Sequence, residues 1–352
     1  MSLNGRARQC QSGSNPGAPN EPTLVVDRPP TAEHPVSIPS HRGSSFLEET
    51  IAGLSKSPRS LPCKFFYDER GAQLFQKICG LPEYYITRAE LQILRRHGAE
   101  IAAALGDQIE LIGLGTGAGT KTRILLEKLR EPAVYVSIDI SKEQLQKSTA
   151  RFRKLFPKLQ ILPVTADYLE HFDLPLPRRV SSRSVVYFPG STIGNFEPNA
   201  ATEFLRRLVD LCGHDGGLLI GVDLQKDKEV IEAAYNDRHG VTARFNLNLL
   251  ERANRELRAD FDLNNWRHQA VYNSNEGRVE MYLISECDQS VHLDSRPFHF
   301  AAGEKILTEY SHKHTPEGFA AVAGRAGFEF KRIWSDDAGL FGVFYFAVAS
   351  SM

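Results

Sequence analysis

An α/β fold built on a doubly wound, mainly parallel sheet is predicted by three features of the sequence. Between residues 108 and 224 short apolar runs alternate with amphipathic helical stretches. The first of these runs feeds a glycine-rich turn, and the chain closes with a helix and two further strands.

In order, QIELIGLG (residues 108–115) reads as the first strand and KTRILLEKLR as the helix after its turn. VYVSIDIS (134–141) is the second strand, KEQLQKSTARFRKLF the second helix and LQILPVTADY (159–168) the third strand. SVVYFPG (184–190) and GLLIGVDL (217–224) are the fourth and fifth, separated by the helix AATEFLRRLVDLCG. After Leu224 the alternation stops: residues 225–262 read as helices, and residues 266–300 as antiparallel strands joined by an NSNEG turn. TPEGFAAVAGRAG then gives a helix before FEFKRIWSD and LFGVFYFAVAS, which make one strand of the sheet run in reverse.

Ahead of the sheet, helical periodicity begins at Phe46 and Leu47, and a second apolar stripe runs through Phe75, Ile78 and Leu81. Residues 87–106 predict a helix with Thr87 as N-cap, Glu90 completing a capping box, and Gly106 as the stop. Residues 46–87 and 225–311 together are expected to form a second, α+β lobe, since 225–310 is too long for a loop. Residues 88–224 and 312–352 then form the sheet domain. Residues 1–45 hold seven of the 19 prolines and no apolar periodicity, so a disordered tail is expected there.

A net charge of −1 gives no electrostatic reason to expect nucleic acid or an anionic membrane as a partner. No apolar run approaches the ~20 residues of a membrane helix. The five cysteines form no C-x-x-C pair, which argues against a disulfide framework or thiolate zinc site and makes a cytoplasmic setting the expectation. His312 and His314 share one side of an extended segment, but two ligands without a third make a poor metal site, so no metal is expected.

Three successive strand ends carry groups suited to a nucleoside. GLGTGAGTKT (113–122) is a glycine turn, Asp139 ends the second strand where it can accept ribose hydroxyls, and Asp167 with Tyr168 ends the third, where an adenine can sit. An adenosine methyl donor and a dinucleotide both fit these positions.

Longer motifs bear on that choice. F-Y-D-x-x-G at 66–71, L-P-E-Y-Y-x-T-R-x-E at 81–90, G-S-T-I-G-N at 190–195, F-N-x-N-x-L, N-R-E-L-x-A-D-F, R-V-E-M and L-T-E-x-S follow in order. In these the chain resembles the S-adenosylmethionine-dependent histidine Nα-methyltransferases, which make trimethylhistidine (hercynine) as the first step to ergothioneine. The likeness implies a class I methyltransferase domain with a substrate-binding lobe, acting as a monomer. It implies donor contacts from Gly115, Gly117, Lys121, Asp139, Asp167 and Tyr168. The imidazole of L-histidine would lie between Tyr84, Glu309 and Ser311, with Met281 and Phe75 as apolar walls. The substrate carboxylate would meet Asn195 and Tyr235, and the amine Gly190 and Tyr67. The chain departs from the family at Gly113, where an acidic residue usually stands.

Methyl transfer from a sulfonium needs positioning more than activation, and Tyr67 is the candidate proton acceptor or head of a water path, or else a hydroxyl that only orients the amine. Glu309 and Ser311 lie two apart in an extended segment, so they face the same way and can clamp an imidazole. An aromatic amino acid without those nitrogens leaves both groups unpaired at ~1–3 kcal/mol each. A tryptophan-like substrate is the nearest alternative. A nicotinamide oxidoreductase or a non-catalytic binding module shares the glycine turn but leaves GSTIGN and the Glu-x-Ser pair unexplained.

Overall fold

The computed structural model describes residues 45–349; the tail expected over 1–45 lies, but for Ser45, outside the described residues. Ser45 caps α1 (Phe46–Leu54) in a reciprocal capping box with Glu48. Short β1 (Arg59–Ser60) and a 3-10 turn lead to α2 (Glu69–Ile78) and α3 (Tyr85–Leu105). Then come β2 (Glu110–Leu114), α4 (Thr120–Leu126), β3 (Val134–Asp139), α5 (Lys142–Leu155) and β4 (Gln160–Thr165). β5 (Ser184–Phe188), α6 (Pro198–Cys212) and β6 (Gly217–Asp223) complete the alternating stretch. Beyond it lie α7 (Lys228–Tyr235), α8 (Val241–Leu257), β7 (Trp266–Asn273), β8 (Arg278–Ser285), β9 (Gln289–Leu293), β10 (Arg296–Phe300) and β11 (Lys305–His312). The last elements are α9 (Pro316–Ala326), β12 (Phe328–Ser335) and β13 (Phe341–Val348).

Seven strands form the main sheet in the order β12-β13-β6-β5-β2-β3-β4. β2 to β6 run parallel, while β13 is antiparallel to both β6 and β12. This is the reversed strand that the terminal helix and strand pair predict. β2, β3 and β6 are buried along their whole length and β5 along all but its first residue, which parallel strands covered on both faces require. Along β5, Val185 and Tyr187 pack into one apolar cluster and Val186 and Phe188 into the other, as period-two alternation dictates.

The second sheet has the order β1-β11-β8-β7, and β9 and β10 form a separate hairpin. Its Val279, Met281 and Leu283 belong to the same apolar cluster as Leu111 and Tyr187 of the main sheet, so one core runs beneath both. The sheets meet where β6 and β11 end: the His314 N–H donates to the Asp223 carbonyl at 3.1 Å, and the Gln225 N–H to the His314 carbonyl at 3.0 Å.

One local expectation is corrected. α3 starts at Tyr85 with Tyr84 at the N-cap, not at Thr87, and no side chain caps it. Thr87 and Glu90 match a capping-box spacing, but Glu90 is fully buried and ion-paired to Lys121 instead. The expected stop at Gly106 holds, with φ at 88°.

Candidate active site

The loop from Pro189 to Asn195 leaves β5 at the carboxyl edge of the main sheet. Gly190 has φ of 85° and Ser191 of 60°, so the backbone turns sharply before the short 3-10 segment Thr192–Asn195. Neither Ser191 nor Thr192 caps α6, whose N-cap is Glu197. The Ser191 hydroxyl instead accepts the Asp223 N–H at 2.8 Å, tying this loop to the end of β6.

Facing the loop is a cavity whose walls come from widely separated parts of the chain, most of them marked by the motifs. Tyr67, Phe75 and Tyr84 line it from the N-terminal segment, Gly190 and Asn195 from the loop, Tyr235 from α7, Met281 from β8, and Glu309 and Ser311 from β11. The expected substrate residues and Tyr67 thus converge on one place. β8 and β11 pair with Met281 opposite Glu309, which sets the apolar wall beside the carboxylate. Tyr67 and Tyr84 each stand edge-on to Phe75, at 5.5 and 6.3 Å between ring centres, and Tyr84 likewise to Tyr235 at 6.4 Å. A cage of rings and one carboxyl is the result.

Several motif residues never touch the cavity but hold what does. Asp68 caps α2 by accepting the Gly71 N–H at 2.7 Å, accepts from the Asn248 amide at 2.8 Å and pairs with Arg255 at 2.5 Å. A Cβ at Gly71 would lie 1.7 Å from the Phe66 carbonyl oxygen, so only glycine fits beside Tyr67. The Asn246 amide reaches His268 Nδ1 at 2.9 Å, and the other nitrogen of that ring lies 2.9 Å from the Tyr235 carbonyl. F-Y-D-x-x-G, F-N-x-N-x-L and N-R-E-L therefore form one scaffold around Tyr67 and Tyr235.

Inside the cavity the polar groups already touch one another. The Tyr235 and Ser311 hydroxyls are 2.9 Å apart, and the Asn195 amide donates weakly to Glu309 at 3.5 Å. Burial raises the Glu309 pKa to about 7, with the Lys313 charge opposing that rise. Burial, then the Glu309 charge, also pushes the Tyr67 phenol further up, so it stays protonated through the neutral range. Tyr67 is the more open of the two, the residue as a whole 38% exposed.

In the turn after β2, where donor contacts are expected, Gly115 and Gly117 take φ of 59° and 48°. A Cβ at Gly115 would press on the Tyr168 ring at 3.4 Å, whereas nothing lies within 4 Å of one at Gly117. Asp139 is buried and holds the turn, accepting the Gly117 N–H at 3.0 Å and the Ser141 N–H at 2.9 Å. Asp167 accepts the Leu169 N–H with one oxygen at 2.9 Å, and Lys64 approaches the other at 3.8 Å. Open backbone with two carboxylates and an aromatic ring at adjacent strand ends fits an adenosine group.

Sequence reasoning missed Glu90. It pairs with Lys121 at 2.5 Å and accepts the Gly190 N–H at 3.0 Å, so one buried carboxylate joins the two turns that border the site. It also missed what fills the space beside Gly113. The Tyr135 ring and Thr116 occupy it, and Thr116 and Tyr135 both bond the Ser137 hydroxyl, at 3.0 and 3.3 Å. The buried cluster of Asp223, Lys313, Lys226 and Tyr85 was missed as well. Among the described residues no group of three or more His, Cys, Asp or Glu is placed to hold a metal. His312 and His314 stack at 6.4 Å, and His314 packs against Phe319.

Residues 46–348 match the family model of histidine-specific, SAM-dependent methyltransferases. The chain belongs to that family. A histidine N-alpha-methyltransferase of Mycolicibacterium smegmatis is 43% identical over 297 residues, covering 83% of this chain and 91% of the relative. Its counterpart in Mycobacterium tuberculosis is 39% identical over 318 residues, or 88% and 98%. Ergothioneine biosynthesis protein 1 of Neurospora crassa is 32% identical over 285 residues; the match takes in 79% of this chain and 32% of that larger protein. This family membership, with a sheet of the class I methyltransferase order, replaces the oxidoreductase alternative. Among the described residues no helix is long and apolar enough to cross a membrane.

Proposed function

We propose that the protein methylates the α-amino nitrogen of L-histidine three times to give hercynine, the first step of ergothioneine biosynthesis, acting as a cytoplasmic monomer with S-adenosylmethionine as donor and no metal. The observation that carries this reading is the placement of Glu309, Ser311, Tyr235 and Asn195 around one cavity walled by Tyr84, Phe75 and Met281. Glu309 accepts the imidazole N–H, and Ser311 meets the other ring nitrogen. Asn195 and Tyr235 donate to the carboxylate without adding a formal charge to the cavity wall. The lobe formed by residues 46–87 and 225–311 thereby supplies most of the grip on the amino acid, and the sheet domain adds Gly190 and Asn195 and presents the donor.

When bound, S-adenosylmethionine supplies a methyl group already activated on a sulfonium. Gly115, Gly117, Lys121, Asp139, Asp167 and Tyr168 are the residues that would hold it. The protein's task is to bring the amine in unprotonated, aim its lone pair and keep water out. Gly190, without a side chain, lets the amine approach the backbone. Tyr67 orients the nitrogen through its hydroxyl, and a phenol pushed above its ordinary pKa is better suited to that than to taking a proton outright.

Competition between histidine and tryptophan tests the assignment. Histidine should be preferred by about a hundredfold or more, since two unmet polar groups each cost ~1–3 kcal/mol. Glu309→Ala should erase most of that preference; a variant as selective as the parent would contradict the clamp.

A further inference from the structure

Ser311 and Tyr235 share a partner that the methyl-transfer reading does not use. Lys313 lies two residues beyond Ser311, so Glu309, Ser311 and Lys313 keep one spacing along the extended segment. Its side chain is wholly buried. The ammonium donates to Tyr235 Oη at 2.8 Å, to Ser311 Oγ at 2.7 Å and to Asp223 Oδ2 at 2.9 Å. Three partners take all three of its protons, and it has no acceptor.

We propose that Lys313 is a positioning residue that makes both hydroxyls donors toward the substrate and gives the site its selectivity for amines bearing a free carboxylate. Each hydroxyl oxygen accepts from the ammonium, so each keeps its own single proton to give. Toward each other, one hydroxyl donates to the other across 2.9 Å. A substrate with two acceptors draws both protons inward, one to its carboxylate and one to the bare imidazole nitrogen. An ammonium behind a hydroxyl also strengthens the bond that the hydroxyl donates.

Charge points the same way. Asp223 is fully buried and neutralised twice, by Lys313 at 2.9 Å and by Lys226 at 2.5 Å. Asp336 also acts on Lys226 and Glu309 faces the Lys313 charge, so the cluster has no surplus of cations; what it fixes behind the hydroxyl pair is the Lys313 ammonium itself. Among the described residues lining the cavity, Glu309 alone is ionisable as an acid of ordinary strength, and none is a cation. A substrate carboxylate therefore meets neutral donors at the wall, and its compensating charge comes from Lys313 one layer back.

The inference rests on the histidine reading, and the test separates the two. L-Histidine is compared with L-histidinamide, which replaces the carboxylate by a neutral amide, in the parent protein and in Lys313→Met. The parent should prefer the acid, and Lys313→Met should cut that preference about ten- to a hundredfold, the range of one hydrogen bond to a charged group. The loss should fall mainly on KM for histidine, with the affinity for S-adenosylhomocysteine held. Lys313→Gln, which keeps donors to the hydroxyls and loses the charge, should show the same direction with a smaller change. Lys226 continues to neutralise Asp223 in both variants. Equal losses on acid and amide, an unchanged preference, or a parent that takes both alike would each overturn the proposal. Unfolding of both variants, read from lost melting transitions and lost S-adenosylhomocysteine binding, would assign the lysine to the fold alone and overturn it too. A parent that methylates neither compound contradicts the histidine reading itself.

Discussion

Glu309 is held at a cost that depends on pH. Its folded pKa of about 7 lies above the ordinary carboxyl value of 4.5, chiefly because the group is buried. A carboxyl raised in this way contributes stability that is fully present below pH 4.5 and lost as pH rises through 7. Glu309→Gln should therefore raise stability at pH 8 by about 1–2 kcal/mol, discounted for the cavity's access to water, and by much less near pH 5. Melting curves at the two pH values check this; an equal gain at both would contradict the linkage. The same variant should bind histidine more weakly, because an amide oxygen replaces a charged acceptor. For Tyr67, pushed above its ordinary pKa, Tyr67→Phe should lower the rate by a similar factor across the pH range. A loss concentrated at low pH would instead assign it a proton relay.

Among the elements, α3 ties Lys121 at the start of α4 to the Gly190 turn through Glu90. Replacing that buried carboxylate by Gln leaves the Lys121 ammonium without its counter-charge and weakens the hold on Gly190. Calorimetry on Glu90→Gln should show S-adenosylhomocysteine bound about tenfold more weakly, within the ~1–3 kcal/mol range of a buried pairing lost. The end of β2 makes a different demand. A Cβ at Gly113 would stand 2.8 Å from the Thr116 methyl and 3.1 Å from the Tyr135 ring. Gly113→Ala should cost about 1–3 kcal/mol by overpacking, and denaturant melts that show no loss would mean Tyr135 can move aside. These elements also show how far sequence reaches. The strands were legible because a parallel sheet covered on both faces needs continuous apolar runs. The start of α3 was not, since Thr87 and Glu90 match a cap by spacing alone. Only the fold shows that Lys121 draws Glu90 into the interior.

Across the whole molecule, the cavity collects side chains from positions as far apart in the chain as Tyr67 and Ser311. Nine of the predicted site residues line it, seven of them inside the quoted motifs, and the motifs mark that place because they supply either a wall or the brace behind one. Asp68, Asn248 and Arg255 are such a brace, bonded across 187 residues of chain. Lys313, Asp223 and Lys226 escaped notice because a lysine in a sequence reads as a surface residue until the fold buries it. The period-two step from Ser311 to Lys313 was the available signal. The central claim, that one layer of the molecule holds histidine while another offers a methyl group to its amine, is tested most directly by mass spectrometry of L-histidine incubated with S-adenosylmethionine and the purified protein. The account predicts species carrying one, two and finally three added methyl groups, all on the α-nitrogen. Histidine recovered unmethylated, or methylated on the ring, would contradict it.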